Sequence, residues 1–418
     1  MTTDHAPSIR GHLLSLNVRR LCISLGIIGG ITFLYGLIFG NETRAWQILL
    51  VNFLFFGGLA QSGVVISAIM QTTSARWGRA LKRTAEATVA FLPVSLILLV
   101  VLLTGTAHWA PWAQQPIAAK LPWLNVPFFV VRQLVAFLCL STLSLLYVYR
   151  SLRPDIGLQQ ETGKQPVSRI TEKLIKGWRG TQVELHAGQR SQNRLAVCVL
   201  IAYGWSFTLL AFDFVMALDP HWFSTLFGGY YFVGNIFVGL AFLSVIATWG
   251  RKRLGIEAYV GPEQFHDVGK LLFGFCMLFT YMFWSQYLVI WYGDLPEETA
   301  FLYHRLHGVW RPIMVIVFAM TFFIPFVALL SRTVKRQPSA LLAVAVIICL
   351  GMWLERFVLV VPSLWQSESI PFGLTELLIT AGITGVFGYC YASFLSHFPA
   401  IPVSDPKLAT IDPQHLPE

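Results

Sequence analysis

Ten long apolar stretches divide this chain of 418 residues, and most of its Lys and Arg residues lie between them. A helix needs roughly 20 mostly apolar residues to cross the hydrocarbon core of a bilayer. Soluble folds do not repeat such stretches so often, and the composition agrees, with 55% hydrophobic and only 12% charged residues. The sequence therefore predicts an all-α integral membrane protein.

The predicted spans are residues 20–40, 47–71, 86–107, 126–149, 194–218, 226–249, 269–293, 308–331, 339–362 and 372–396. The first 19 residues are polar and basic, and the first span is too long for the apolar core of a signal peptide, so we expect no cleaved signal. The stretch 150–193 is expected to be the main loop, and residues 397–418 a proline-rich tail.

The basic residues predict the orientation. Of the 30 Lys and Arg residues, only Arg44, Lys120, Arg305 and Arg311 fall on the side opposite to the N-terminus, apart from two that lie inside spans. By the positive-inside rule, both termini are expected to be cytoplasmic. The net charge of +9 then reflects membrane topology, and no nucleic-acid partner is expected.

Several kinds of cofactor site are not expected. The six cysteines lie one per span without a Cys-x-x-Cys pair, which does not suit an iron–sulfur cluster or a zinc site. No histidine lies in the middle of a span, where a membrane haem would need its axial ligands. No phosphate-binding loop of an ATP-driven pump is present. We therefore expect neither haem, nor an iron–sulfur cluster, nor a metal in this chain.

The polar groups inside the spans gather near their outer ends. Asp213 lies about five residues, or ~8 Å, below the outer end of span five. Arg132 and Gln133 in span four lie at a similar depth, and Glu355 and Arg356 lie in span nine. The inner halves are expected to hold almost no ionisable groups.

Buried charges at one depth are expected to pair, because a lone charge costs about 2.5–3.5 kcal/mol at a helix centre. We expect Arg132 to pair with Asp213, and either Arg311 or Arg356 to pair with Glu355. Asp213, Glu355, Arg132 and Arg356 are thus the candidates for proton transfer. The alternative is that these pairs only hold helices together, although such pairs would not need to gather at one depth.

A weak internal repeat supports the same residues. If spans two to five form one unit and spans six to nine a second, Arg132 corresponds to Arg311, and Asp213 corresponds to Glu355. Inverted or parallel repeats are common in transport proteins.

Two outer connections carry a second set of candidates. Asp219 and His221 lie between spans five and six, while His307 and Arg311 lie between spans seven and eight. Carboxylates and histidines beside a membrane interface suit proton release, or a hydrogen bond to a bound hydroxyl group. An ordinary solvated loop is the alternative interpretation.

Two stretches carry a family resemblance: FDFVMALDPHWFSTLFGGYYFVGN at 212–235 and HDVGKLLFGFCMLFTYMFWSQYLVIWYGDLPEET at 266–299. They resemble the ActF subunits of bacterial alternative complex III, within the wider NrfD/polysulfide-reductase family of membrane subunits. The similarity is most specific over about 200–310, and the first spans match in pattern only.

The resemblance implies a subunit of a quinol:electron-acceptor oxidoreductase in the bacterial inner membrane. It implies ten spans, with four-helix bundles at about 47–218 and about 226–362. The expected partners are an iron–sulfur protein, a multihaem cytochrome c and a paralogous NrfD-like membrane subunit. The quinone, menaquinone or ubiquinone, would be held near the periplasmic face of the first bundle.

In this chain the matching region contains His108, Gln133 and the Arg132–Asp213 pair. A quinol site would need a proton acceptor such as Asp213 or His221 and a donor such as Arg132 or Gln286. Two alternatives remain open: a secondary transporter with a site near the midplane, and a scaffold subunit of the same complex without a site of its own.

Overall fold

The computed structural model describes residues 15–162, 169–365, 367, 369–405 and 408, and within them the chain is helical without a β-strand. Ten helices in this part of the chain are long and apolar enough to cross a membrane, which confirms the multi-pass all-α prediction. We label them α1 to α10. Their bounds are Leu16–Ile38, Glu42–Thr72, Arg79–Thr104, Val126–Glu161, Thr181–Leu218, Phe227–Leu254, Pro262–Gly293, Gly308–Leu330, Pro338–Leu364 and Leu374–His397.

Local sequence sets where several of these helices begin. The side chain of Asn41 accepts a hydrogen bond from the backbone N–H of Arg44 at the start of α2, and Asn125 does the same for Phe128 at the start of α4. Such capping satisfies backbone donors that have no partner within the helix. Pro127 follows in the first turn of α4, where its missing N–H costs nothing.

Helix α2 lies at the centre of the molecule. It packs against α3, α5, α6, α9 and α10, and its apolar part is entirely buried. Its polar side chains must therefore find partners within the protein. Asn52 contacts Thr380 on α10, Gln61 contacts Ser144 on α4, and Ser67 bonds to a carboxylate described below.

Helices α1 and α10 pack closely along a stripe of small residues. A Cβ atom on Gly29 would lie 2.7 Å from Cα of Gly382, and one on Gly385 would lie 2.9 Å from the carbonyl oxygen of Cys22. Only glycine at these positions lets the two helix backbones approach so closely. The pairing is antiparallel, so α1 begins and α10 ends at the same end of the bundle. We call this the basic end, and the other, where α2 begins and α9 ends, the opposite end.

The prediction of a loop at 150–193 is wrong for most of this stretch. Helix α4 continues to Glu161 and α5 already begins at Thr181, with a short helix, Arg169–Leu174, between them. Arg153 and Glu184 join the two extensions through an ion pair of 3.1 Å. The sequence pattern assigns these two charges to a solvated loop, but in the structure they pair across two helices. Residues 163–168 of this stretch lie outside the described part.

Only part of the predicted terminal segments can be compared. Residues 1–14 of the segment before α1, and 406, 407 and 409–418 of the tail, lie outside the described residues. The stretch that follows α10 folds back against the basic end, where Ala400 and Ile401 are buried.

Candidate functional site

Asp213 on α5 forms the ion pair that the sequence predicts with Arg132 on α4. The Nε and Nη2 atoms of Arg132 donate to the two carboxylate oxygens over 2.6 and 2.9 Å. The indole of Trp123 donates to Oδ1 over 3.0 Å, and the Gln133 amide donates to Oδ2. Asp213 is fully buried.

This arrangement holds Asp213 on both oxygens. A two-pronged Arg–carboxylate pair with further donors is among the stronger polar contacts in proteins. Arg132 also lies against two aromatic rings, 4.2 Å from the Trp123 ring and 4.7 Å from that of Phe128. A nearby depression of about 380 Å³ contains Trp123 but neither Asp213 nor Arg132 in its lining. The geometry therefore favours a role in holding α4, α5 and the preceding loop together.

Glu355 on α9 pairs with its neighbour Arg356, and Arg311 takes no part. The Arg356 Nη1 atom donates to Oε2 of Glu355 over 2.8 Å, and the hydroxyl of Tyr230 on α6 donates to Oε1 over 2.6 Å. Arg356 Nη2 lies 3.0 Å from the Asn235 side-chain oxygen. Glu355 and Arg356 are both buried.

Close helix packing makes this pair feasible. A Cβ on Gly58 of α2 would lie 2.4 Å from the Asn235 side-chain oxygen, and one on Gly234 would lie 3.2 Å from Nη2 of Arg356. Only glycine at these two positions leaves room for the guanidinium of Arg356 and the side-chain amide of Asn235, where α2, α6 and α9 meet. The close packing at Gly58 and Gly234 and the buried charge are thus parts of one arrangement.

Glu355 also lines a cavity, which Asp213 does not. The cavity measures about 70 Å³ and lies among α6, α7, α8, α9 and the short helix Pro296–Leu306. Its walls are mainly aromatic, and its polar lining consists of Glu355, Tyr230, Gln286, Tyr287, Arg305, Thr280, Thr321 and the indole of Trp222. Glu355 is thus the one carboxylate among the described lining residues.

Two polar members of this lining have distinctive surroundings. Gln286 accepts a hydrogen bond of 3.0 Å from Ser224, which ties α7 to the turn before α6. The indole N–H of Trp222 is buried and has no hydrogen-bond partner among the described residues. Such a donor needs an acceptor to offset its desolvation. An oxygen atom in the cavity would supply one.

Arg305 is a buried residue of this region that sequence reasoning left among the solvated outer charges. Its side chain donates to the carbonyls of Val358 and Leu359 over 3.0 and 2.8 Å, and to the hydroxyl of Ser363 over 2.7 Å. In a regular helix the carbonyl of Val358 would accept a hydrogen bond from the N–H of residue 362, but Pro362 has no N–H. Arg305 therefore takes the place of a missing helical donor. Burial lowers the pKa of its guanidinium to about 9, and the charge of Asp219 opposes that effect.

The helix Pro296–Leu306 separates the cavity from an open groove on the opposite end. Its side chains Phe301 and Arg305 line the cavity, with Phe301 stacked 3.8 Å from the Trp222 ring. The groove, of about 800 Å³, contains Asp219 and His307. One amphipathic helix thus covers the cavity and faces the groove with its other side.

The remaining candidates lie apart from both carboxylates. His108 is exposed, pairs with Glu42 over 2.6 Å and stacks on Trp46. His221 and Arg311 are exposed and line neither the cavity nor the groove. Within the described residues, His108 contacts Glu42 and Trp46 and not the Asp213 pair. Arg311 is exposed, whereas Arg132, to which the repeat would match it, is buried.

Ionisable side chains are also buried at the inner end of predicted span three and beyond the inner end of predicted span four. Near the basic end, Arg83 on α3 donates to Glu86 over 2.5 Å and to Asp155 of α4 over 2.5 Å, and all three side chains are fully buried. Ser67 of α2 donates to Glu86 over 2.8 Å. Ser404, after α10, donates to Asp155 through its backbone over 2.8 Å and through its hydroxyl.

A periodic pattern could have revealed this basic-end cluster. Lys82, Arg83 and Glu86 lie three, four and seven residues after Arg79, which places all four on one face of a helix. Because these residues precede the most apolar part of span three, hydropathy alone assigns them to a solvated end of the span. Asp155 gave no such signal, since its partner lies in another helix.

The described residues contain no group of three or more His, Cys, Asp or Glu side chains that could hold a metal ion. No known protein-family model matches the chain, and no curated protein is significantly similar to it.

Proposed function

We propose that this chain is a membrane subunit of a quinol:electron-acceptor oxidoreductase of the alternative-complex-III type, in which Glu355 takes part in proton transfer near the outer membrane face. The observation that carries the proposal is the position of Glu355: a buried carboxylate, held by Arg356 and Tyr230, in the wall of an aromatic cavity. An ionisable residue inside a membrane protein is by default a candidate for such a role.

The surroundings of Glu355 suit proton exchange better than those of Asp213. Glu355 accepts from one cation and one neutral hydroxyl, and the cavity is large enough for a few water molecules. Tyr230 can pass a proton between the carboxylate and a water, because a hydroxyl both donates and accepts. Asp213 accepts two hydrogen bonds on each oxygen, and neither the cavity beside Glu355 nor the depression at Trp123 includes it in its lining.

The volume of the cavity indicates whether it holds the quinol itself or only water. Sites that enclose a drug-sized ligand measure about 300–1,000 Å³, and this cavity of about 70 Å³ is far smaller. We therefore propose that the quinol binds beside the cavity, within reach of the unpartnered Trp222 indole. Its two protons would leave through water, Glu355 and the groove with Asp219 and His307. Its two electrons would pass to an iron–sulfur or haem group of a partner subunit.

The proposal includes orientation and assembly. Both termini would be cytoplasmic in a bacterial inner membrane. The arginine-rich basic end would then face the cytoplasm, as the positive-inside rule requires. Helices α2–α5 and α6–α9 would form the two four-helix bundles of the family. They contact each other through α2, which packs against both α6 and α9, and through α5, which packs against α6. The partners would be an iron–sulfur protein, a multihaem cytochrome c and a paralogous membrane subunit.

The proposal is tested by gentle detergent purification through a tag on this chain, followed by haem spectra and quinone extraction. We expect c-type haem and an iron–sulfur protein to co-purify with the chain, and quinone to be extracted from the complex. A lone, colourless protein without quinone would contradict the proposal and favour a secondary transporter. A haem-containing complex whose turnover survives removal of the Glu355 carboxylate would favour a scaffold subunit.

A further inference from the structure

A second cavity lies at the basic end, far from Glu355, and is lined by cations. It measures about 180 Å³ and lies between α2, α4, α5 and the stretch after α10. Arg79, Lys82 and Arg150 contribute to its lining, and Asp405 is the one carboxylate among its described lining residues. Arg79 and Lys82 are both almost completely buried. Its inner wall is built from buried polar side chains, Arg79, Lys82 and Gln192, while Arg150 lies exposed at its rim.

One of the three described cations that line this cavity has no ion-pair partner among the described residues. Asp405 lies 3.1 Å from Arg79. Lys82 and Arg83 together face the two buried carboxylates of the basic-end cluster. Arg150 forms no ion pair with any described residue, and its guanidinium lies 5.7 Å from the Tyr149 ring. A negative charge in the cavity would therefore be stabilised.

The neutral side chains of the cavity offer a donor without a partner. The Gln71 side-chain oxygen accepts from Arg79 and Lys82 over 2.9 and 3.1 Å, and that of Gln192 accepts from Lys82 over 3.3 Å. These contacts use the amide oxygens. The buried Nε2 atom of Gln192 has no hydrogen-bond partner among the described residues. The cavity thus combines excess positive charge with an unsatisfied N–H group.

We propose that this cavity binds a phosphate group, from an anionic phospholipid headgroup or from free phosphate. A tetrahedral oxyanion brings several acceptor atoms, so that Gln192, Lys82 and Arg150 can each donate to a different oxygen. Water would satisfy the Gln192 amide, but a phosphate group would in addition be attracted by the charges of Lys82 and Arg150. The cavity lies beside the end of α2 and the start of α3, and a headgroup at the membrane surface would meet basic side chains there.

The test is ligand titration of the purified protein after exchange of its native lipid for detergent. Phosphatidylglycerol binding is followed by native mass spectrometry, and inorganic phosphate binding by thermal shift. We expect one saturable equivalent. Arg150→Gln should weaken binding about tenfold, and Gln192→Glu should abolish it, because the new carboxylate repels the anion while keeping the contact with Lys82. Arg190→Gln, an exposed change on α5 outside the cavity, should leave binding unchanged.

The two ligands distinguish the source of the phosphate. Saturable binding of both indicates that the phosphate group itself is recognised, and binding of the lipid alone indicates a headgroup presented from the bilayer. The proposal is overturned if neither ligand saturates, or if Gln192→Glu binds as tightly as the wild-type protein. Since Arg150 is exposed and Gln192→Glu is nearly isosteric, both variants should fold, and their melting temperatures without ligand check this.

Discussion

The hydroxyl of Tyr230 donates a hydrogen bond of 2.6 Å to Glu355 across the α6–α9 interface. The other oxygen of Glu355 is held by Arg356 at 2.8 Å. Asp213, by contrast, accepts from a cation on both oxygens and does not line the cavity that Glu355 lines. Two carboxylates at the same end of one helical bundle therefore have different environments, and we expect different consequences when each is changed.

Removal of the Tyr230 hydroxyl should slow the complex without unfolding it. Tyr230→Phe keeps the ring, which stacks 4.7 Å from Phe279, but takes away the group that links Glu355 to the cavity. We expect quinol turnover to fall at least tenfold, since a positioned proton-transfer group contributes about 10²–10⁴-fold. Tyr287→Phe is the matched control, because Tyr287 lines the same cavity without contacting Glu355. Equal turnover in the two variants would argue against the hydroxyl.

Asp213→Asn should destabilise the protein more than it changes its chemistry. The change leaves the Arg132 guanidinium buried without a counter-charge, and the cost of breaking a buried pair in this way is about 3–5 kcal/mol. Thermal unfolding in detergent measures the effect, with half-buried Asp219→Asn as the control. The double variant Arg132→Met with Asp213→Leu should recover much of the loss, because it removes both charges. A double variant as unstable as Asp213→Asn alone would contradict a pairing role.

The Arg305 side chain and Pro362 should be coupled energetically. Arg305→Met leaves the Val358 carbonyl buried without a donor, at a cost of about 1–3 kcal/mol. Pro362→Ala supplies a backbone N–H four residues after Val358, so the same Arg305 change should cost about 1 kcal/mol less in that background. A double-mutant cycle on unfolding free energies measures the coupling. Strict additivity would show that Arg305 does not replace the missing helical donor.

The orientation predicts which exposed positions an impermeant reagent can reach. In a cysteine-free background, Glu297→Cys on the helix that covers the cavity should react with an impermeant maleimide in intact spheroplasts. Arg190→Cys at the basic end should react only after the membrane is permeabilised. Both side chains are exposed in the structure. The reverse labelling pattern would place the basic end outside.

Hydropathy was sufficient to locate the spans, because each must present a run of apolar residues to lipid or to neighbouring helices. The range predicted for span six, 226–249, overlaps helix Phe227–Leu254, and the others agree similarly. The Arg132–Asp213 pair was predictable for the same reason. Each is a lone charge in an apolar segment, and both lie at one depth, so each needed the other.

Charges at the ends of spans were not predictable in this way. Arg83, Asp155 and Arg305 look like solvated residues in the sequence, since nothing in one segment reveals a second helix or a folded-back segment that covers it. The cavity beside Glu355 was equally hidden, because its walls come from five separate helices. For Glu355, the sequence left Arg311 and Arg356 as possible ion-pair partners, and the structure shows that the partner is Arg356.

The central claim is that the Glu355 carboxylate takes part in proton transfer, and the most direct measurement is quinol turnover of the assembled complex with Glu355→Gln. Glu297→Gln, an exposed change on the covering helix, serves as the control, and haem content confirms assembly. We predict that Glu355→Gln loses at least 90% of turnover, consistent with a proton-transfer contribution of about 10²–10⁴-fold, while Glu297→Gln keeps it. A fully assembled Glu355→Gln complex that turns over like the control would contradict the account.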